Sequence, residues 1–132
     1  MGLNLTYITG QTRIDEDEKD ALLIPTISTQ RELDEFEQQN IESAVQWTMF
    51  HSFPAEEILT ERFVKGLHLR MFGDVWLWAG EFRRSNKNIG VDKYNIPVAL
   101  RTLLDDVRFW IANATYDGDE IAVRLKHRLV FI

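Results

Sequence analysis

The chain has 132 residues, of which 45% are apolar and four are tryptophan, enough to bury the core of one domain. It has no cysteine, which excludes disulfides and thiolate metal sites and is compatible with a reducing cytoplasm. Fifteen basic and 21 acidic residues give a net charge of −6, whereas proteins that grip nucleic-acid phosphates usually carry a basic surface. Neither a signal peptide nor an apolar run of about 18 residues is visible. We expect a cytoplasmic protein that binds neither nucleic acid nor a membrane.

The N-terminal residues 1–28 predict an extended or irregular arm. An acidic run, "DEDEKD", is followed by the apolar "ALLIPTI", and Pro25 disfavours helix at the residue before it. We expect this apolar segment to lie against the body of the domain. A helix is predicted at about 30–51, because Thr29 and Glu32 have the spacing of a capping box and apolar residues follow at helical spacing.

Three further helices are predicted at about 60–72, 97–113 and 119–132. Thr60 can cap the first, Pro97 suits the first turn of the second, and Asp119 lies at the positive end of the third. Gly66 lowers the stability of its helix by about 1 kcal/mol relative to alanine. We interpret this cost as a sign of close helix packing at that position.

A change of pattern at about 81–96 predicts a β-hairpin or flap. The segment "EFRRSNKNIGVDKYNIP" is polar, its apolar residues are too sparse for a helical face, and Asn and Gly supply turn residues. The alternative is an ordinary hairpin or loop in which Ile89 fills the core. The expected fold is therefore mainly α, with one hairpin between two core helices. The sequence contains no Ser/His/Asp set, no metal-spaced His cluster and no phosphate-binding Gly loop.

Three segments in order resemble the Fic domain: "LHLRMFGDVWLWAGEFRRSNKNIGV", "IPVALRTLLDDVRFWI" and "DEIAVRLKHRLVFI". The chain is most similar to the Fic-like family called mobile mystery protein B, and its arm also looks like that family's N-terminal region. "SNKNIGVDKYNIP" looks like the flap, and "EIAVRLKHRLVFI" looks like the helix that leads into the catalytic loop. The resemblance implies a Fic-type helical bundle with an inserted β-hairpin flap.

The resemblance implies transfer of AMP from ATP, with Mg²⁺, to a hydroxyl of a target protein. In the family, the helix similar to 119–132 is followed by a loop His-Pro-Phe-x-x-Gly-Asn-Gly-Arg that supplies the catalytic His and holds the phosphates. No position of this sequence matches that loop, so no catalytic or metal-binding residue can be assigned. We expect an adenylyltransferase scaffold that lacks the C-terminal part of the fold. These 132 residues are expected to be inactive and to bind neither ATP nor Mg²⁺.

The family's flap docks a protein target by backbone pairing. The residues that match it are Lys87, Asn88, Ile89, Gly90 and Val91.

Many Fic proteins also carry an inhibitory motif, Ser/Thr-x-x-x-Glu followed by Gly or Asn. "STQREL" supplies Ser28 and Glu32, but Leu33 stands where Gly or Asn is expected. The alternative is that Glu32 only completes the capping box of the first helix. Glu37 is a second, weaker candidate for the inhibitory carboxylate.

Other functions remain open from the sequence. The chain ends in four consecutive apolar residues, "LVFI", which predict self-association through this end. A truncated pseudoenzyme, or a peptide-binding or dimerisation module of a toxin-antitoxin-type system, is the alternative to an enzyme. A regulatory helical domain unrelated to Fic is the third interpretation.

Overall fold

Five α-helices and one 3₁₀ turn are found in the part of the chain that the computed structural model describes, residues 19–84 and 90–132. The helices are α1 (Gln30–Met49), α2 (Ala55–Ile58), α3 (Glu61–Phe72), α4 (Ile96–Ala112) and α5 (Gly118–Val130). The predicted mainly-α class is confirmed. The four long helices begin and end within one or two residues of the positions expected from the sequence.

Side-chain caps explain where three of the helices begin. The Thr29 hydroxyl accepts a hydrogen bond from the amide N–H three residues later at 3.3 Å, and Thr60 does the same at 3.1 Å. An Asp117 carboxylate oxygen accepts from the corresponding amide of α5 at 2.8 Å. Each cap satisfies one of the N–H groups that a first helical turn leaves without an intrahelical partner.

The chain divides into two compact units, each with its own core. One unit contains the described residues up to Ser52 together with Gly66–Glu81, and the other contains Phe53–Lys65 together with Phe82–Ile132. Helix α3 contributes its first residues to the second unit and the remainder to the first.

In the first unit, the N-terminal arm pairs with the segment that follows α3. The Leu23 N–H donates to the Val75 carbonyl at 2.8 Å, and the Leu77 N–H donates to the Ala21 carbonyl at 2.8 Å. The buried core of this unit consists of Ile27, Leu33, Val75 and Trp76. The apolar part of the arm therefore packs against the body of its own unit, as its composition predicts.

In the second unit, one face of α4 forms most of the core. The buried residues are Leu59, Leu100, Leu103, Leu104 and Val107. The four that belong to α4 recur at spacings of three and four, which places them on one side of a helix. Ile121, Leu125 and Ile132 are partly buried against this cluster, so α5 and the residues that follow it pack on α4.

The described flanks of the predicted flap, 81–84 and 90–96, contain no β-strand. A 3₁₀ turn at Lys93–Asn95 leads directly into α4, and an Asp92 carboxylate oxygen accepts from the Tyr94 N–H at 2.9 Å to begin it. The predicted docking residues Lys87, Asn88 and Ile89 lie outside the described residues. The hairpin stays a prediction.

The interpretation of Gly66 as a site of close helix packing is wrong, because a Cβ atom at this position would meet no atom within 4 Å. Gly66→Ala is therefore expected to stabilise the protein by about 0.5–1 kcal/mol, since alanine restricts the unfolded chain and adds no clash. Urea denaturation measures the change. Gly73→Ala is the matched control and should destabilise, because its Cβ would lie 2.4 Å from the Leu69 carbonyl oxygen. Loss of stability in Gly66→Ala would contradict the prediction.

Candidate functional site

The described residues next to the predicted flap meet the end of α5 at a cluster that we call the Arg83 junction: Arg83, Gly90, Val91, Phe131 and Ile132. Arg83 Nη2 donates to the Val91 carbonyl at 2.5 Å and to the Ile132 carbonyl at 2.9 Å. The Val91 N–H donates to the Phe131 carbonyl at 2.9 Å. One hydrogen bond therefore joins Val91 directly to the end of α5, and two more link the same segments through Arg83, all within the second unit.

Gly90 is the residue that lets the two backbones approach. Its φ of +113° lies in a region that L side chains rarely adopt. A Cβ atom there would also lie 3.1 Å from Arg83 Nη2 and 3.4 Å from the carbonyl oxygens of Phe131 and Ile132. Both the backbone conformation and the available space at the junction therefore favour glycine.

The chemistry of a helix end explains why Arg83 binds here. The last carbonyl groups of an α-helix have no intrahelical donor, and they carry the negative end of the helix dipole. A guanidinium group offers several N–H donors in one plane and keeps its positive charge at any physiological pH. Arg83 thus places its positive charge just beyond the end of α5, at the Ile132 main-chain oxygen, and contacts a second segment at the same time.

The predicted docking residues fall in two groups. Gly90 and Val91 lie in the Arg83 junction, while the three residues before them lie outside the described part of the chain. Both backbone polar groups of Val91 form hydrogen bonds in the junction. Its N–H donates to the Phe131 carbonyl, and its carbonyl accepts from Arg83.

The structure brings Ser28 and Glu32 together at the start of α1 in the first unit. Glu32 Oε1 accepts from the Thr29 hydroxyl at 3.0 Å and from the Ser28 hydroxyl at 3.1 Å. The Thr29 hydroxyl, followed by that of Ser28, holds the pKa of Glu32 below its ordinary value. These contacts supply the capping role of Glu32. The weaker candidate, Glu37, accepts from the Trp76 indole N–H at 3.0 Å.

The lowered pKa of Glu32 predicts a specific acid response. Its stabilising contribution is fully present above the unfolded pKa of about 4.5, and is lost as pH falls through the lower pKa of the folded state. Glu32→Gln is therefore expected to reduce stability at pH 7 and to show a smaller further loss between pH 5 and pH 3 than the wild type. Urea denaturation across this range measures both. Glu35→Gln, an exposed change on the same helix, is the control. Equal acid responses of wild type and Glu32→Gln would refute the assignment.

His68 is a half-buried polar residue of the first unit whose contacts the sequence did not predict. Its Nδ1 accepts from the Gly80 N–H at 2.9 Å, and its ring lies 5.1 Å from the Phe72 ring and 5.7 Å from the Trp78 ring. Burial lowers the pKa of His68, and the hydrogen bond requires an unprotonated Nδ1. Both observations favour the neutral imidazole, which positions the turn at Gly80.

A cleft of about 570 Å³ lies between α1 and the part of α3 in the first unit. Its wall includes Arg70, whose guanidinium lies 3.7 Å from the centre of the Trp47 ring. Asn40 also lines it, but its side-chain amide is engaged: it donates to the Arg70 carbonyl at 2.8 Å and accepts from the Asp74 N–H at 2.9 Å. The Asn40 amide is thus a structural bridge rather than a free binding group.

Two basic residues of α5, Arg124 and Arg128, are paired with carboxylates. Arg124 contacts Glu120 at 2.9 Å, and Arg128 contacts Asp106 at 2.5 Å. Within 19–84 and 90–132, no group of three or more His, Asp or Glu residues is placed to hold a metal ion. In the same ranges, no helix combines the length and apolar composition of a membrane span.

No protein-family model matches the chain, and no curated protein or solved structure gives a significant match.

Proposed function

We propose that the chain is the scaffold of a Fic-type protein adenylyltransferase, whose family reaction transfers AMP from ATP to a target-protein hydroxyl. We also propose a β-hairpin flap at about 81–96. These 132 residues are proposed to be inactive because they contain no catalytic loop. One observation carries the proposal: the Arg83 junction joins Gly90 and Val91, at the base of the proposed flap, to the end of α5. The family resemblance places a target-docking flap beside that helix end.

The contribution of this chain to such a reaction would be positioning. The hydrogen bond from Val91 to Phe131 holds the base of the proposed flap at 2.9 Å from the end of α5. A catalytic loop that began after Ile132 would therefore start next to a target segment held by the flap. Bringing a hydroxyl and its reaction partner into contact in this way removes much of the entropic cost of a bimolecular step.

Nucleotide binding would come from the loop and not from the described residues. In the family, the loop and the helix that follows it hold the phosphates with backbone N–H groups, which is what oriented amides at a helix start can do. Arg124 and Arg128 are paired with Glu120 and Asp106. We derive no chemical step through ATP or Mg²⁺ for these 132 residues.

The nucleotide sequence downstream of the Ile132 codon gives the first test. We expect it to encode a His-Pro-Phe-x-x-Gly-Asn-Gly-Arg loop.

The second test uses ATP labelled at its α-phosphate. A polypeptide of these 132 residues should transfer no label to protein, whereas the chain continued through the loop should transfer it. The continued chain with alanine in place of the loop histidine is the matched control. Label transfer by the 132 residues alone, or a downstream sequence without the loop, would overturn the enzyme proposal.

A second candidate function is that of a dimerisation module or pseudoenzyme that self-associates through its C-terminal end. The side chains of Leu129, Val130 and Phe131 are 37%, 58% and 47% exposed, which is unusual for three consecutive large apolar residues. Sedimentation at high micromolar concentration should show a dimer, and Val130→Glu should return it to a monomer. A wild-type chain that stays monomeric would exclude this candidate.

A further inference from the structure

The backbone of Val91 is already committed within the chain. Its single N–H donates to the Phe131 carbonyl, and its carbonyl accepts from Arg83. A strand that adds to a sheet edge needs free N–H and C=O groups on the receiving backbone. Val91 therefore cannot offer its N–H to a docked peptide while the Arg83 junction is intact.

We propose that Arg83 is a positioning residue that anchors the base of the flap to the end of α5, and that Val91 is part of this anchor instead of the docking edge. The role in target docking rests on the proposed function, whereas the anchor itself does not.

Arginine has the geometry that this role requires. One nitrogen, Nη2, reaches carbonyls that are eight and 49 residues away in the sequence. Lysine keeps the charge, but its flexible ammonium group loses more conformational freedom when it is held between two acceptors. Arg83→Lys should therefore preserve only part of the anchor, and Arg83→Gln should preserve the least.

Amide hydrogen exchange measured by NMR on the 132-residue chain tests the anchor without any target or nucleotide. In the wild type, the Val91 amide should exchange more slowly than an unstructured amide. In Arg83→Gln it should exchange at least about tenfold faster, because a hydrogen bond to a charged group contributes on that scale. In Arg83→Lys, the exchange rate of the Val91 amide should lie between the rates in the wild type and in Arg83→Gln. The lysine variant still tests the proposal if Arg83→Gln fails to fold. Arg101→Gln, the same change at an exposed position on α4, should leave Val91 unaffected.

Two results would overturn the proposal. An unprotected Val91 amide in the wild type would mean that its N–H is available for pairing. Equal acceleration of Val91 and of the α4 amides in both Arg83 variants would mean that Arg83 supports the whole unit and does not position one segment.

Failure of the anchor and failure of the proposed function can be told apart. If Arg83→Gln releases Val91 but the chain continued past Ile132 transfers no AMP, the anchor stands and the enzyme proposal fails. If that continued chain is active, Arg83→Gln should raise the KM for the target protein much more than the KM for ATP. Equal effects on both KM values would contradict a positioning role toward the target.

Discussion

Leu103→Ala is expected to destabilise the second unit by about 2–5 kcal/mol, the range for removing a fully buried leucine side chain. The Leu103 side chain is 0% exposed at the centre of the α4 core, so the surrounding helices can close the cavity only in part. Urea denaturation followed by circular dichroism measures the loss. Because Ile132 packs on the same cluster, the Arg83 junction should also loosen, and faster Val91 amide exchange in this variant would report it.

Val98→Ala provides the matched control for Leu103. It lies on the same helix and also removes apolar carbon atoms, but its side chain is 66% exposed. A change within about 0.5 kcal/mol is expected there, as for most surface substitutions. If Leu103→Ala cost no more than Val98→Ala, the assignment of this face of α4 to the core would be wrong.

Asn40→Ala is expected to destabilise the first unit by about 2–4 kcal/mol. Asn40 is 5% exposed, and its amide satisfies the Arg70 carbonyl at the end of α3 and the Asp74 N–H just beyond it. The Arg70 carbonyl is one of the last four of α3, which have no intrahelical donor, and the Asp74 N–H lies beyond the helix. Removing the side chain leaves a part-buried donor and a part-buried acceptor without their bonds, at a cost of about 1–2 kcal/mol each, in the lower part of the range for buried groups.

The neighbouring Gln39→Ala is the control for Asn40, since Gln39 is exposed on the same helix. Thermal and urea unfolding should separate the two variants clearly. Asn40→Asp adds a further comparison, because it keeps an acceptor for the Asp74 N–H and loses the donor to the Arg70 carbonyl. An Asn40→Ala variant as stable as Gln39→Ala would show that water replaces both hydrogen bonds.

The two stability predictions concern different parts of the proposed function. Leu103 supports α4, and through Ile132 it supports the junction that would place a target beside a catalytic loop. Asn40 supports only the first unit, where Ser28 and Glu32 begin α1. We therefore expect Leu103→Ala, and not Asn40→Ala, to change the exchange of the Val91 amide at temperatures where both variants are folded.

Sequence patterns that act over three or four residues determined the helices of this protein. Thr29, Thr60 and Asp117 begin helices because their side-chain oxygens reach an amide three residues away, and this contact exists whatever surrounds the helix. The buried residues of α4 likewise recur at spacings of three and four, a pattern that is local in the sequence. The capping contact of Glu32 belongs to the same class, since its partners lie three and four residues before it.

Tertiary structure alone decided the Arg83 junction, the Asn40 bridge and the open surroundings of Gly66. Arg83 donates to a main-chain oxygen 49 residues away, and Asn40 forms hydrogen bonds with groups 30 and 34 residues away. No short-range sequence pattern therefore predicts either contact. The cost of glycine in a helix can be read from the sequence, but whether a neighbour fills the space beside Gly66 depends on how the helices pack. Local hydrogen bonds are set by the covalent chain, whereas long-range ones form only after burial has brought distant segments together.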